Sequence, residues 1–291
     1  MAKARAIVKR RKASQNIKRI TGTMQLVATA RFAKCLQRAT ASKPYVEKIT
    51  EMIEALSGQS VDHPLLRPNA SQNAVVVMMT SNRGLCGSYN SGLLRLGLEH
   101  YKKLKAEGHS VAVEMVGKKG VSYLKFLGVE MADTIIDVED KIAYARVAAI
   151  AERFMKLYTD GKVGRVDICY TKYNSVANQR PTIVRLLPIE QTPAASGAAT
   201  KEKKKSVEWE FSPPPEQLLS KLIPETVKIR LYQYFNDAIL SEQVARMVAM
   251  KSATDAAGEM IKYLTRQYNR ARQSQITLEL ADIVGGSEAV K

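Results

Sequence analysis

The residues best placed to do chemistry form a nine-residue loop, Asn82-Arg83-Gly84-Leu85-Cys86-Gly87-Ser88-Tyr89-Asn90, which follows an apolar run. A phosphate-cradling loop needs either GxxxxGK[ST], in which lysine and hydroxyl reach the phosphates and Mg²⁺, or GxGxxG, in which bare backbone approaches a pyrophosphate. Neither spacing occurs here. The glycines are expected instead to set a tight central turn, built by Arg83, Gly84, Cys86 and Gly87, with close helix packing beside it. Cys86 is a candidate nucleophile, but no histidine lies near it in sequence to activate it, and a small buried structural thiol is the expected role.

The other reactive types are scattered. Cys35, Cys86 and Cys169 are odd in number and form no CxxC pair, which suggests neither a disulfide framework nor a zinc site and fits a reducing compartment. His63, His100 and His109 have no metal-ligand spacing. Gly117-Lys118-Lys119-Gly120 has the GxxG spacing of some RNA-clamping loops, yet a four-residue match is weak and a plain strand-to-helix turn is preferred. No catalytic residue, no metal and no cofactor is therefore assigned.

What remains is a question of partners. The chain of 291 residues is 45% hydrophobic, enough for a packed core, and only 6% aromatic. Its net charge of +17 is unevenly placed: residues 1–43 hold 12 Lys or Arg and no acid, whereas the last 67 residues hold 9 Lys or Arg against 8 Asp or Glu. A basic segment of this kind attracts nucleic acid, an anionic membrane or acidic protein loops, and charge alone does not choose among them. No run reaches 18 apolar residues, so no membrane span is expected.

The elements that must carry these charges are long. From Ala2 to Lys43 there is no proline and only Gly22, and Ile17, Ile20, Met24 and Val27 repeat at 3, 4 and 3, the narrow seam offered to one partner helix. Pro44 is a place for a kink, after which an apolar face continues towards Gly58. Beyond Pro224 the chain runs to its end without proline, and Ala257, Ile261, Leu264, Tyr268 and Ala271 make a second seam at 4, 3, 4 and 3. Two single stripes at opposite ends of a chain are both buried if the helices pair antiparallel.

Between them, residues 74–79, 111–116, 166–170 and 183–187 read as strands, alternating with helices near 93–105, 121–126 and 143–158, the pattern of βαβ units and a largely parallel sheet. Residues 192–205 are low in complexity and are expected to form a mobile loop or hairpin tip, with 207–211 as a return strand. The domains expected are 1–57 (N-terminal coiled-coil helix), 74–212 (central α/β domain) and 213–291 (C-terminal coiled-coil helix). The fold class is thus α/β, a long antiparallel coiled coil plus a central Rossmann-like α/β domain.

Three separated blocks resemble the gamma subunit of rotary F-type ATP synthases: residues 16–28, NIKRITGTMQLVA; residues 83–87, RGLCG; and the C-terminal YNRARQ, ITLEL and IVGGSEA from Tyr268 to Ala289. Ser88 and Gly286 stand where many members have glycine and alanine, and the cysteine-bearing insert of plastid members is not visible. The resemblance implies a non-catalytic central shaft of a proton-driven ATP synthase, turning inside a ring of α and β subunits and contacting epsilon and the membrane c ring. It implies chemistry at the β subunits and a seat on the cytoplasmic face of a bacterial inner membrane. It also implies that Arg272, Gln273, Thr277 and Glu279 touch the ring. A different class stays open on the charge pattern, a basic coiled-coil nucleic-acid-binding protein. Against it, the first 43 residues offer only Phe32 for base stacking.

Overall fold

The computed structural model describes residues 2–56, 63–138, 140–189 and 215–288. The expected loop 192–205 and return strand 207–211 lie outside them. In chain order the elements are α1 (Ala2–Leu56), β1 (Asn73–Met79), α2 (Tyr89–Ala106), β2 (Ser110–Val116), α3 (Lys118–Phe126), β3 (Asp133–Ile135), α4 (Tyr144–Thr159), β4 (Arg165–Ser175), β5 (Asn178–Leu187) and α5 (Pro215–Glu288). The chain divides into two compact units: 1–30 with 85–87 and 244–291, and 31–84 with 88–243.

The second unit is built on a five-stranded sheet of order β3-β2-β1-β4-β5. β1 is parallel to both β2 and β4, and β2 to β3, while β5 returns antiparallel as the second arm of a hairpin. β1 reads NAVVVMM without polar alternation because its two faces are both covered. Ala74, Val76 and Met78 pack with Leu93 and Leu94 of α2 and Leu124 of α3. Val75, Val77 and Met79 point the other way, into Val147, Ile150 and Phe154 of α4 and Val227, Leu231 and Phe235 of α5. Each buried valine or methionine among them contributes about 1.5–3 kcal/mol, so this central strand anchors both layers. Charges inside are paired: Asp167 on β4, fully buried, sits 2.5 Å from Arg165 and 2.7 Å from His100, and Glu114 on β2 lies 2.6 Å from Arg153.

The turn after β2 explains its glycines. Gly117 has φ of 92° and its α-carbon lies so close to β1 that a Cβ would be 2.2 Å from the Thr80 carbonyl oxygen. The first amides of α3 are then used locally: those of Lys118, Lys119 and Gly120 donate to the Asn82 side-chain oxygen, the Ser81 carbonyl and the Thr80 hydroxyl. No amide of these three is left to cradle a phosphate, and GKKG is a strand-to-helix turn.

The first unit is a helix pair. Thr21 and Thr254 place their hydroxyls 2.8 Å apart, the Lys18 side chain lies over Gly258, and the Arg11 guanidinium sits 5.3 Å from the Tyr268 ring centre. Partners on α5 rise in number as those on α1 fall, so the two helices run antiparallel. α1 continues through Pro44 as one helix to Leu56.

Candidate interaction surfaces

No cluster able to hold a metal ion occurs among the described residues, and no described helix is long and apolar enough to cross a membrane. Three surfaces carry the residues singled out in the sequence: the central turn, the flanks of the helix pair and the end of α5.

In the turn, the Ser81 hydroxyl donates to the Arg83 carbonyl at 2.7 Å. Leu85 takes a positive φ of 64° and leaves its side chain 60% exposed, and Gly87 follows at 58°. A non-glycine residue in that region marks a backbone held there by its surroundings. The reversal drives Cys86 inward, where it is buried, and packs Gly87 against Ala249 of α5. Arg83 itself remains exposed, and Gly84 lies under the Lys119 stem. The four residues therefore shape a turn, with an arginine on its outside and a thiol sealed within.

On α5, Ala257 and Leu264 are buried, and Ile261, Tyr268 and Ala271 are half-buried. The expected stripe on α1 is corrected. Ile17, Ile20 and Val27 are 53%, 56% and 46% exposed, and Met24 is half-buried. The inward positions instead recur at seven: Ile7, Ser14 and Thr21 are half-buried and Ala28 is 1% exposed. At about 100° per residue that seam lies roughly a quarter turn from the apolar stripe. Ser14, Thr21 and Ala28 are small or hydroxylated, which lets the helices approach closely and close the Thr21–Thr254 contact, with Ile7 the one large residue of this seam. A search for small residues recurring at seven, Ser14, Thr21 and Ala28, would have marked it.

The α1 stripe is consequently an outer apolar strip, flanked by exposed Arg5, Lys9, Arg10, Lys12, Lys18 and Arg19, none of which pairs with a described carboxylate. Phe32, the aromatic available for stacking on a base, is half-buried against the core and lies 6.4 Å from the Tyr173 ring.

At the end of α5 every residue from Ile276 to Ser287 is exposed. Leu278, Leu280 and Ile283 are 62%, 62% and 70% exposed, so this stretch is apolar yet unburied by the described chain. Arg272, Gln273, Thr277 and Glu279 all face outward. The Thr277 hydroxyl donates to the Gln273 carbonyl at 3.0 Å and Glu279 accepts from Gln275 at 2.9 Å. The side chains of Arg272 and Gln273 make no hydrogen bond or ion pair with described residues, leaving a guanidinium and an amide on the surface.

Comparison with known proteins bears on these surfaces. The profile of the family described as ATP synthase matches residues 3–290. The ATP synthase gamma chain of Rhodopirellula baltica is 45% identical over 295 residues, covering all of both chains. That of Leptospira biflexa is 38% identical over 293 residues, again with full coverage of both. Among solved structures, a chain of the Euglena gracilis mitochondrial ATP synthase (OSCP/F1/c-ring, rotational state 3) superimposes with a TM-score of 0.68 at 18% identity, covering 99% of this chain and 95% of that one. A chain of the Tetrahymena thermophila central stalk and c-ring gives 0.56 at 21% identity over 80% of this chain and 99% of that one.

Proposed function

The chain belongs to the ATP synthase gamma chain family, and on that premise we propose how its surfaces work as the central rotor shaft of the enzyme. The end-to-end match to gamma chains carries this reading. The chain is a non-catalytic subunit, and the chemistry belongs to the β subunits. Its partners are the α and β subunits, epsilon and the c ring, in a membrane-associated complex. The seat is the cytoplasmic face of a bacterial inner membrane. Nucleic-acid binding is set aside: the relatives matched end to end are ATP synthase gamma chains, and Phe32, the one aromatic of the first 43 residues, is engaged in the core.

Proton flow turns the c ring, the α/β domain takes up the torque, and the helix pair transmits it. Within the ring the α5 end, where exposed Leu278, Leu280 and Ile283 stand among Thr277, Glu279 and Asp282, turns against largely apolar surface, which is attractive without being directional. Lower on the rod, unpaired cations attract acidic loops over roughly 8 Å at physiological salt, which keeps the rod engaged without a pocket that would lock it. Arg272 and Gln273 add hydrogen bonds that must form and break within each turn. Charge-assisted bonds of this kind are worth about 1.5–3 kcal/mol.

Alanine at Arg272, Gln273 and Thr277 together leaves the isolated chain's melting nearly unchanged and lowers ATPase and ATP synthesis in the reassembled complex. Normal turnover and coupling in a correctly assembled triple variant would refute the contact.

A further inference from the structure

The carboxyl ends of β1 and β2 open onto a cavity of about 360 Å³, lined wholly by residues of the second unit. In open α/β sheets small molecules bind outside the carboxyl ends of the strands, where strand order reverses, in cavities of roughly 300–1,000 Å³. Here the order reverses at β1, with β2 and β3 to one side and β4 and β5 to the other. Nothing in the work of a shaft calls for such a cavity.

Its walls are apolar and held in place. Met79 and Val116 end the two strands, Phe235 and Ile239 line the cavity from α5, and all four are buried. Hydrogen bonds brace the frame. The Tyr89 hydroxyl donates to the Ala238 carbonyl at 3.1 Å, the Thr80 hydroxyl to the Val116 carbonyl at 2.6 Å, and the Asn82 amide to the Ile136 carbonyl at 3.2 Å. A cavity framed in this way is preformed, so little loss of freedom in the protein opposes a ligand.

The charges around it select the ligand. Asp137 lies 3.3 Å from Arg146, Asp140 lies 2.6 Å from Arg31, and Arg83 and Glu242 are engaged with other residues. Lys118 also lines the cavity, is exposed, and pairs with no carboxylate among the described residues. The first amides of α3 are spent on Asn82, Ser81 and Thr80, so a phosphate chain finds no backbone cradle here. A lone lysine, a compact point charge, suits a single carboxylate.

We propose that this cavity binds a small organic carboxylate, with an aromatic or aliphatic body against Met79, Phe235 and Ile239 and its carboxylate meeting the Lys118 ammonium. The site goes beyond the shaft reading and stands without it. Its occupant touches the strand ends and α5 at once, and binding to the folded chain alone raises its melting temperature.

Calorimetric titration of the full chain tests it. Cinnamate, a phenyl ring carrying a carboxylate, is the probe, and cinnamamide is its uncharged counterpart. A single saturable site for cinnamate is expected, with cinnamamide, or cinnamate on Lys118→Glu, about tenfold weaker, the loss of one charge-assisted contact. Ala238→Phe, which fills the cavity, is expected to abolish binding. Lys118 is exposed, so its variant keeps the fold even where the filled one does not. No saturable binding at millimolar cinnamate overturns the proposal. Binding that survives Ala238→Phe in a folded chain overturns it too, placing the probe on the exposed apolar residues of α1 or α5. So does binding indifferent to Lys118→Glu or to the amide in place of the carboxylate.

Discussion

At the scale of single residues, burial governs reactivity. Burial raises the Cys35 thiol and pushes Cys169 up to about 12. Because the thiolate is the reacting form, Cys169 stays unalkylated by iodoacetamide in the native chain at mildly alkaline pH and reacts once the chain is unfolded. Labelling of native protein at that residue, read by mass spectrometry, would contradict it. Glu114 is a second case: burial raises its carboxyl, against the opposing hydrogen bond and charge of Arg153. A raised value means the folded state holds the proton more tightly than the unfolded chain does. The contribution of Glu114 to stability is therefore greatest below the ordinary glutamate range and falls as pH rises through the raised value. Glu114→Gln loses the Arg153 pair, a fixed offset above that range, but the melting difference of variant minus wild type should climb with pH across the window. A flat or falling difference would show that the carboxylate is not strained by burial.

At the scale of elements, the two ends of the chain teach opposite lessons. On α5 the apolar spacing of Ala257 and Leu264 and the burial coincide, because leucine and alanine fill that seam. On α1 they part, because the seam carries Ser14, Thr21 and Ala28 beside Ile7, while Ile17 and Ile20 face out. Hydrophobicity marks a buried seam only when burial in the same chain is what the apolar residues serve. Four of the five described strands were legible, β1 because it is buried on both faces, while β3, three residues with only Ile135 buried, is too short and exposed to stand out; the turn at Gly117 was legible because glycine alone fits beneath Thr80. The helix pair gives a direct contrast. Leu264→Asp, which buries an unpaired charge, should cost the isolated chain about 3 kcal/mol. Ile20→Asp, on the outer strip, should stay within about 0.5 kcal/mol. Equal losses, measured by denaturant unfolding, would mean that Ile20 lies in the seam after all.

At the scale of the molecule, the α/β class and the pairing of the chain's two ends could be read from proline-free runs and the strand–helix alternation between them. The division into units could not. Residues 31–56 and 215–243 are continuous in sequence with the rod helices yet compact with the sheet, since Phe235 and Leu231 pack beneath β1 and no break in periodicity marks where that begins. Nor could the exposed end of α5 be separated from an ordinary amphipathic helix without seeing that nothing described covers Ile276 to Val284. The exposure of Phe126 on α3 was hidden in the same way, since a phenylalanine in a short apolar stretch reads as core until Leu124 is seen to fill that place. A shaft must turn, and one measurement addresses that directly. The α and β ring is assembled with this chain and fixed to a surface by the ring, a bead is attached to the α/β domain, and ATP is supplied. Unidirectional rotation of the bead in three equal steps per turn is the expected result; steady ATP hydrolysis by the assembled ring with the bead held still or wandering in both directions would contradict it.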